Sequence, residues 1–441
     1  MIDIKVSARF NFNYGMPIVT SKYSPLENNS ITIDGGYEIY EGIINKRKQS
    51  LLLNEKIEFV TKLSDDERNN FVNQQVDVNV LPPVVIISSN RSGFIQKMLD
   101  QFRYWVTEID DPVSPSPNLL IDSKPFRDKY PGLFYDPLRC GRNLIIVVHA
   151  CEYKDYNNKL KEFLIQGGDQ NNQQRIMLVG WMWQSYTKDI LMAGFGASRV
   201  AAIKFLKGSN CPRAWLMDDN ILHINQFPES LAIVEAQMDN NTSAIGFAGC
   251  TSVVPSAPGT IAAAGALDNP ATTGILQQAV LWNISYMNEA NQSTGINFSP
   301  YFIASNEDIS FGEYLRMKGF AYKIYTNLTV IKLEAPLNQE TLKNKGTIKL
   351  ISNIKEILYE LEKNYEITNL GMSTPKPLPI GSIIDNQSKQ FTDNKNTVSC
   401  QIIEQILVAW IKSASGGNKG VQPAIDALFA DSYKAGFKQI A

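Results

Sequence analysis

A chain of 441 residues, 44% of them hydrophobic and 20% charged, carries apolar material for two or three structural units and excludes a disordered or fibrous protein. Forty-two Lys and Arg against 44 Asp and Glu leave a formal net charge of −2, which excludes strong global attraction to nucleic acid or anionic membrane but not a local basic stripe. Five scattered cysteines (Cys140, Cys151, Cys211, Cys250 and Cys400) form no CxxC pair, and only two His are present. A reduced, cytoplasmic setting is expected. The N-terminus lacks the basic-then-apolar layout of a signal peptide, and no run approaches the roughly 20 apolar residues of a membrane span.

Residues 1–80 read as a mixed, β-rich extension, with β-like pieces at Ile2 to Phe12 and Ser30 to Ile39. From Leu81 the texture changes. Pro82-Pro83 leads into the β-branched run Val84-Val85-Ile86-Ile87, a polar turn from Ser88 to Gly93, and the amphipathic stretch Phe94 to Val106. A buried strand, a turn and a helix in that order open an α/β unit. The alternation continues through strand Leu144 to Val148, helix Asn157 to Ile165, strand Ile176 to Val179, helix Ser198 to Lys207 and strand Ala214 to Met217. Strands of continuous Val, Ile and Leu with helices between them predict a mainly parallel sheet covered on both faces. Trp181 and Trp183 follow the third of these strands and read as core or lid.

A Pro/Gly/Ala-rich loop follows at Val254 to Thr273, then strands at Ile275 to Ser285 and Ala321 to Leu333. The last hundred residues predict helices at Thr347 to Glu366, Val398 to Ser413 and Val421 to Ile440, with a polar linker at Met372 to Thr397. The expected organisation is therefore an extension (1–80), an α/β domain (81–340) and a helical C-terminal region (341–441) that caps the domain or mediates assembly. Oligomeric state is left open.

Three motifs carry chemistry. Asp218-Asp219-Asn220 closes the run Ala214 to Met217, and ligands of open α/β sheets bind past the carboxyl ends of strands. Adjacent carboxylates followed by Asn suit a hard cation, Mg²⁺ or Mn²⁺, which takes oxygen ligands and commonly serves a phosphate. The plain alternative is a turn, where Asp and Asn are favoured for their local hydrogen bonds. Ser305-Asn306-Glu307-Asp308 marks a helix start with acidic residues in its first turn, which is also a sound place for a general base. In Gly194-Phe195-Gly196-Ala197-Ser198-Arg199 the third glycine of a dinucleotide fingerprint is replaced by Arg, so that reading fails. A Gly-rich helix start with an Arg one turn in still suits a diphosphate, and so does a merely flexible start. His149, at a strand end, is a candidate pocket residue, but no neighbouring ligands make a zinc site.

The order Val84 to Arg91, Ala197-Ser198-Arg199, Asp218-Asp219-Asn220 and Glu307-Asp308 resembles a GT-A-type nucleotide-sugar glycosyltransferase over roughly residues 81–335. With His149-Ala150-Cys151 before Ser198-Arg199 and Trp215 to Asn220, it is similar to the base-J-associated DNA glucosyltransferases. The resemblance implies that Ser88, Asn90 and Arg91 touch the nucleoside. It places Ser198, Arg199 and Asp219 on the donor side, with Arg199 at the diphosphate, and has Asp218 and Asn220 bracket a Mg²⁺ or Mn²⁺. Glu307 or Asp308 would face the acceptor, with Asp308 as base. The expected donor is a UDP-sugar such as UDP-glucose. The acceptor is a hydroxymethylated pyrimidine in DNA by resemblance, or a protein or small molecule by the near-neutral charge. A non-catalytic α/β scaffold is the rival class. The chain departs from the family pattern in having no His after His223, so water and diphosphate oxygens would complete the metal shell.

Overall fold

The computed structural model describes residues 3–9, 30–36, 55–76, 79–107, 133–168, 174–183, 194–225, 231–253, 268–289, 294–303, 306–333, 366–368, 377–379 and 422–440, with single helical positions between 42 and 48 and between 404 and 412. The strands of its main sheet are β1 (Lys56–Thr61), β2 (Val84–Ile87), β3 (Leu144–His149), β4 (Ile176–Trp183), β5 (Arg213–Asp218), β6 (Ile221–Asn225), β7 (Ala244–Val253), β8 (Ala279–Asn283), β9 (Lys323–Leu333) and β10 (Lys434–Gln439). They lie in the order β6-β9-β7-β8-β5-β2-β3-β4-β1-β10. Six helices concern the argument: α1 (Asp65–Val72), α2 (Ser92–Thr107), α3 (Tyr153–Lys159), α4 (Phe195–Gly208), α5 (Glu307–Met317) and α6 (Gln422–Phe429).

The centre, β5-β2-β3-β4, is parallel throughout. Every residue of β2 and β3 is buried, as expected of strands covered on both faces. On either side the pattern turns mixed, because β8 joins β5 and β1 joins β4 antiparallel. The fold is thus α/β, with a largely parallel mixed sheet between helices.

Strand parity decides which way the site faces. Ala214 and Leu216 enter the core shared with Val200, Ile203 and Phe205 of α4, whereas Trp215 and Met217 enter the opposite core with Ile95, Leu99 and Tyr156. Because successive side chains alternate, Asp218 falls on the α4 side. Trp181 and Trp183 are buried within β4, which runs four residues past the expected strand end and makes them core.

The C-terminal expectation needs correction. Instead of one helix from Val421 to Ile440, α6 ends at Phe429 and β10 pairs in parallel with β1. The reason lies in side-chain alternation: Ala435 and Phe437 pack on the core, and Phe437 stacks on Phe59 with centroids 5.4 Å apart. Gly436 between them weakens any helix. The same sheet therefore includes strands from residues 1–80 and 341–441. Short strands at Glu366–Thr368 and Pro377–Pro379 pair antiparallel where a helix end and a linker were expected. The rest of those stretches lies outside the described residues, as do residues 254–267 of the loop and Ser305. In the N-terminal extension, Asp3–Arg9 and Ser30–Gly36 form their own antiparallel pair. Among the described residues, no helix is long and apolar enough to cross a membrane.

Asp431 fixes the approach to β10. Its fully buried carboxylate pairs with Lys207 at 2.8 Å and Lys204 at 3.1 Å. Asp431→Ala strands both ammonium groups in a site with little water, so we expect a loss of about 3–5 kcal/mol, read as a lower denaturant midpoint in urea unfolding.

Candidate functional site at the carboxyl edge of the sheet

Because β2 and β5 are parallel neighbours with Ile87 opposite Asp218, the turns that follow them open on one edge. Ser88 Oγ donates to Asp219 Oδ2 at 2.6 Å and lies 2.7 Å from the Tyr156 hydroxyl. Arg91 forms an ion pair with the other Asp219 oxygen, and its backbone N–H donates to the Tyr156 hydroxyl at 2.9 Å. From a separate segment, the Tyr135 hydroxyl donates to the Asp219 carbonyl at 2.7 Å. Asp219 raises the pKa of Arg91 and keeps it charged. Burial, reinforced by Asp219, pushes the phenols of Tyr135 and Tyr156 upward, so both stay neutral. Asn90 adopts a left-handed φ of 55°, which Asn tolerates, and its N–H donates to Glu152 at 2.9 Å. The Ser88 to Arg91 turn is thereby latched onto Asp219 and α3. No sequence signal marked Tyr135 or Tyr156, because their role arises only from long-range packing.

The second half of the site forms around α4. Phe195 and Gly196 donate their N–H groups to the carbonyls of Ile303 (3.2 Å) and Phe302 (2.9 Å). A Cβ at Gly196 would collide with the Ser299 and Phe302 carbonyls. Gly196 thus serves a close backbone contact, and these two N–H groups are not available to a diphosphate. Three residues on, past the half-buried Ser198, Arg199 reaches two carboxylates. Its Nε donates to Glu307 Oε1 at 2.9 Å and its Nη2 to Asp218 Oδ1 at 3.0 Å. Burial disfavours the Arg199 charge, yet Glu307, Asp218 and Asp308 outweigh it and its pKa rises.

Glu307 begins α5 directly after Asn306, itself left-handed at φ 62°. The Glu307 side chain is 6% exposed, while that of Asp218 is 26% exposed. Asp308, in the first turn of α5, accepts from the Ile309 N–H at 2.8 Å. Burial and then the neighbouring Glu307 raise its pKa to about 7, against the opposing pull of Arg199.

Arg199 therefore ties the end of β5 to the start of α5, joining two motifs that stand far apart in the sequence. No protein-family model matches the chain, and no curated protein matches it.

A divalent cation can be tested against the donor set. Among the described residues, no three His, Cys, Asp or Glu side chains gather as a cage. Both Asp219 oxygens are engaged by Ser88 and Arg91. Asn220 is buried and its amide donates to the Leu333 carbonyl at 3.0 Å. Asp218 binds Arg199 through Oδ1 alone, and its second carboxylate oxygen is unengaged among the described residues. Mg²⁺ is commonly held by one or two carboxylates plus phosphates and water. Within the motif, Asp218 is the residue that retains a carboxylate oxygen for such a cation.

His149 is buried, with its Nδ1 3.1 Å from Cys151 Sγ and its ring edge-on to Trp181 at 5.0 Å. Burial lowers its pKa to about 4. It is a neutral packing residue rather than a proton carrier at neutral pH.

Proposed function

We propose that this chain is a nucleotide-sugar glycosyltransferase of GT-A type. The observation that supports it most is the bridge from Asp218 through Arg199 to Glu307, with Asp308 alongside, at the carboxyl edge of a parallel α/β sheet. In this reading Asp218 anchors a Mg²⁺ or Mn²⁺ that, when bound, neutralises charge developing on the leaving diphosphate. Arg199 adds fixed positive charge and orients Asp218. Asp308 accepts the proton of the acceptor hydroxyl, as a carboxylate with a pKa near the working pH does best. Ser88, Asn90 and Arg91 form the nucleoside side, stiffened by Asp219. The donor is a UDP-sugar such as UDP-glucose. The acceptor is a hydroxymethylated pyrimidine in DNA, with a protein or small molecule as the alternative.

One observation favours the rival class, a non-catalytic scaffold: each neighbouring carboxylate already holds an arginine, as in a structural ion-pair network. A thermal-shift screen with UDP, GDP and their sugars, with and without Mn²⁺, separates the two. The glycosyltransferase reading predicts stabilisation that needs both nucleotide and metal. No stabilisation by any pair would establish the scaffold instead.

Asp308 gives a pH test with two opposite signs. Turnover should fall as pH drops through about 7 and the base is protonated. Stability runs the other way, because the folded pKa lies above the unfolded value of 3.8. The proton-linked stabilisation is complete below that unfolded value and is lost as pH rises through about 7. Asp308→Asn should therefore abolish turnover yet unfold at a higher temperature than the wild type at about pH 8, with the gap closing at about pH 4. Matching thermal scans at both pH values check the sign.

A further inference from the structure

Next to Asp218, the neighbouring strand is preceded by two glutamines that the packing does not explain. Gln277 and Gln278 lead into β8, where Ala279 lies opposite Met217. Gln278 is therefore opposite Asp218, whose N–H donates to the Gln278 carbonyl at 2.8 Å. Val280 and Trp282 share the α4-side core with Ala214 and Leu216, so alternation puts position 278 on the face of Asp218. The backbone here is tight. Ala279 donates its N–H to the Gln277 carbonyl at 2.8 Å, closing a three-residue turn around Gln278 at φ 67°. That turn is a strained one for any residue but Gly.

Both glutamine residues are more than nine-tenths buried, at 9% and 7% exposure. The Oε1 atom of each is buried and has no hydrogen-bond partner among the described residues. Buried amide oxygens are ordinarily paired, and leaving one unpaired is destabilising. Two such groups in succession, one on a strained backbone, cost stability that an apolar side chain or a glycine would not.

We propose that Gln278 belongs to the sugar-recognition part of the donor site, its carboxamide hydrogen-bonding the hydroxyl groups of the sugar carried on the nucleoside diphosphate. The inference rests on the glycosyltransferase reading and deepens it. A carboxamide presents an acceptor and two donors, and a sugar hydroxyl is both donor and acceptor. Asp218, which addresses the diphosphate, stands directly across the strand pair, so the sugar on that diphosphate lies within reach of the neighbouring position. Polar groups left unpaired without the correct ligand also discriminate strongly, because a ligand lacking the hydroxyls leaves them unpaired.

The test uses the full chain with Mn²⁺, titrated with UDP-glucose and GDP-mannose and, in parallel, with UDP and GDP. Gln278→Gly removes both the strain and the amide, and Gln278→Leu removes the amide at similar volume. Gln278→Gly is expected to raise the thermal midpoint, and each variant should weaken sugar-nucleotide binding by about tenfold or more while binding of the bare diphosphate stays within about twofold. Unchanged sugar-nucleotide affinity in both variants, or equal losses for the bare diphosphate, overturns the sugar assignment while the glycosyltransferase reading stands. A lowered midpoint in Gln278→Gly shows the turn to be structural and also overturns it. If the wild type binds none of the four ligands, both the assignment and the reading beneath it fail.

Discussion

Asp218→Asn is expected to leave the protein folded and to lower turnover by on the order of 10²- to 10³-fold, the usual effect of removing one group that meets charge in the transition state. The fold survives because Arg199 keeps its second partner, Glu307, at 2.9 Å. The amide can still accept from Arg199, but it loses the negative charge that a divalent cation needs. Metal-dependent nucleotide binding should weaken together with turnover, whereas the thermal midpoint without ligand should hardly move. Steady-state kinetics beside a ligand-free thermal scan measure both. An Asp218→Asn protein that turned over donor at the wild-type rate would remove this residue from the site.

Arg199→Met is expected to cost as much stability as Asp431→Ala, about 3–5 kcal/mol, because it leaves a buried partner charge uncompensated. Glu307 would lose its cation in a nearly closed environment, beside the Asp308 carboxyl. Asp308 would also lose the neighbouring positive charge that lowers its pKa, so its proton would be held still more tightly. Adding Glu307→Gln should return much of the lost stability, since the double variant no longer buries a lone charge. Urea denaturation of the two single variants and the double variant measures this coupling. Additive losses would mean that the bridge is not the unit described here.

Some of this was legible in the sequence, and the boundary has physical causes. The strands at Val84 and Leu144 announced themselves because a strand buried on both faces must be apolar at every position, and Asp218 was marked by the apolar run that ends just before it. Glu307 and Asp308 were legible as a helix start because dipole and capping preferences are local. Arg199 was singled out, but not its bridge, since Glu307 lies 108 residues away and pairing at that range leaves no local pattern. For the same reason Asp219, expected at the donor, proved to be the anchor of the Ser88 to Arg91 turn. The final strand reads as helix in the sequence because Lys434 to Gln439 is short and largely polar, and only its place beside β1 makes Ala435 and Phe437 a half-buried face packed on the core. The antiparallel β8 was recognised as a strand, but its direction is set by the sheet rather than by its own residues.

The most direct test of the central claim is release of nucleoside diphosphate from a panel of UDP- and GDP-sugars, followed with Mn²⁺ and again after chelation. Many transferases slowly pass their donor's sugar to water, so no acceptor need be known. The account predicts metal-dependent release from at least one sugar nucleotide, lowered by on the order of 10²-fold or more in Asp218→Asn and abolished in Asp308→Asn. Absence of release from every donor, or release unchanged in both variants, would contradict it.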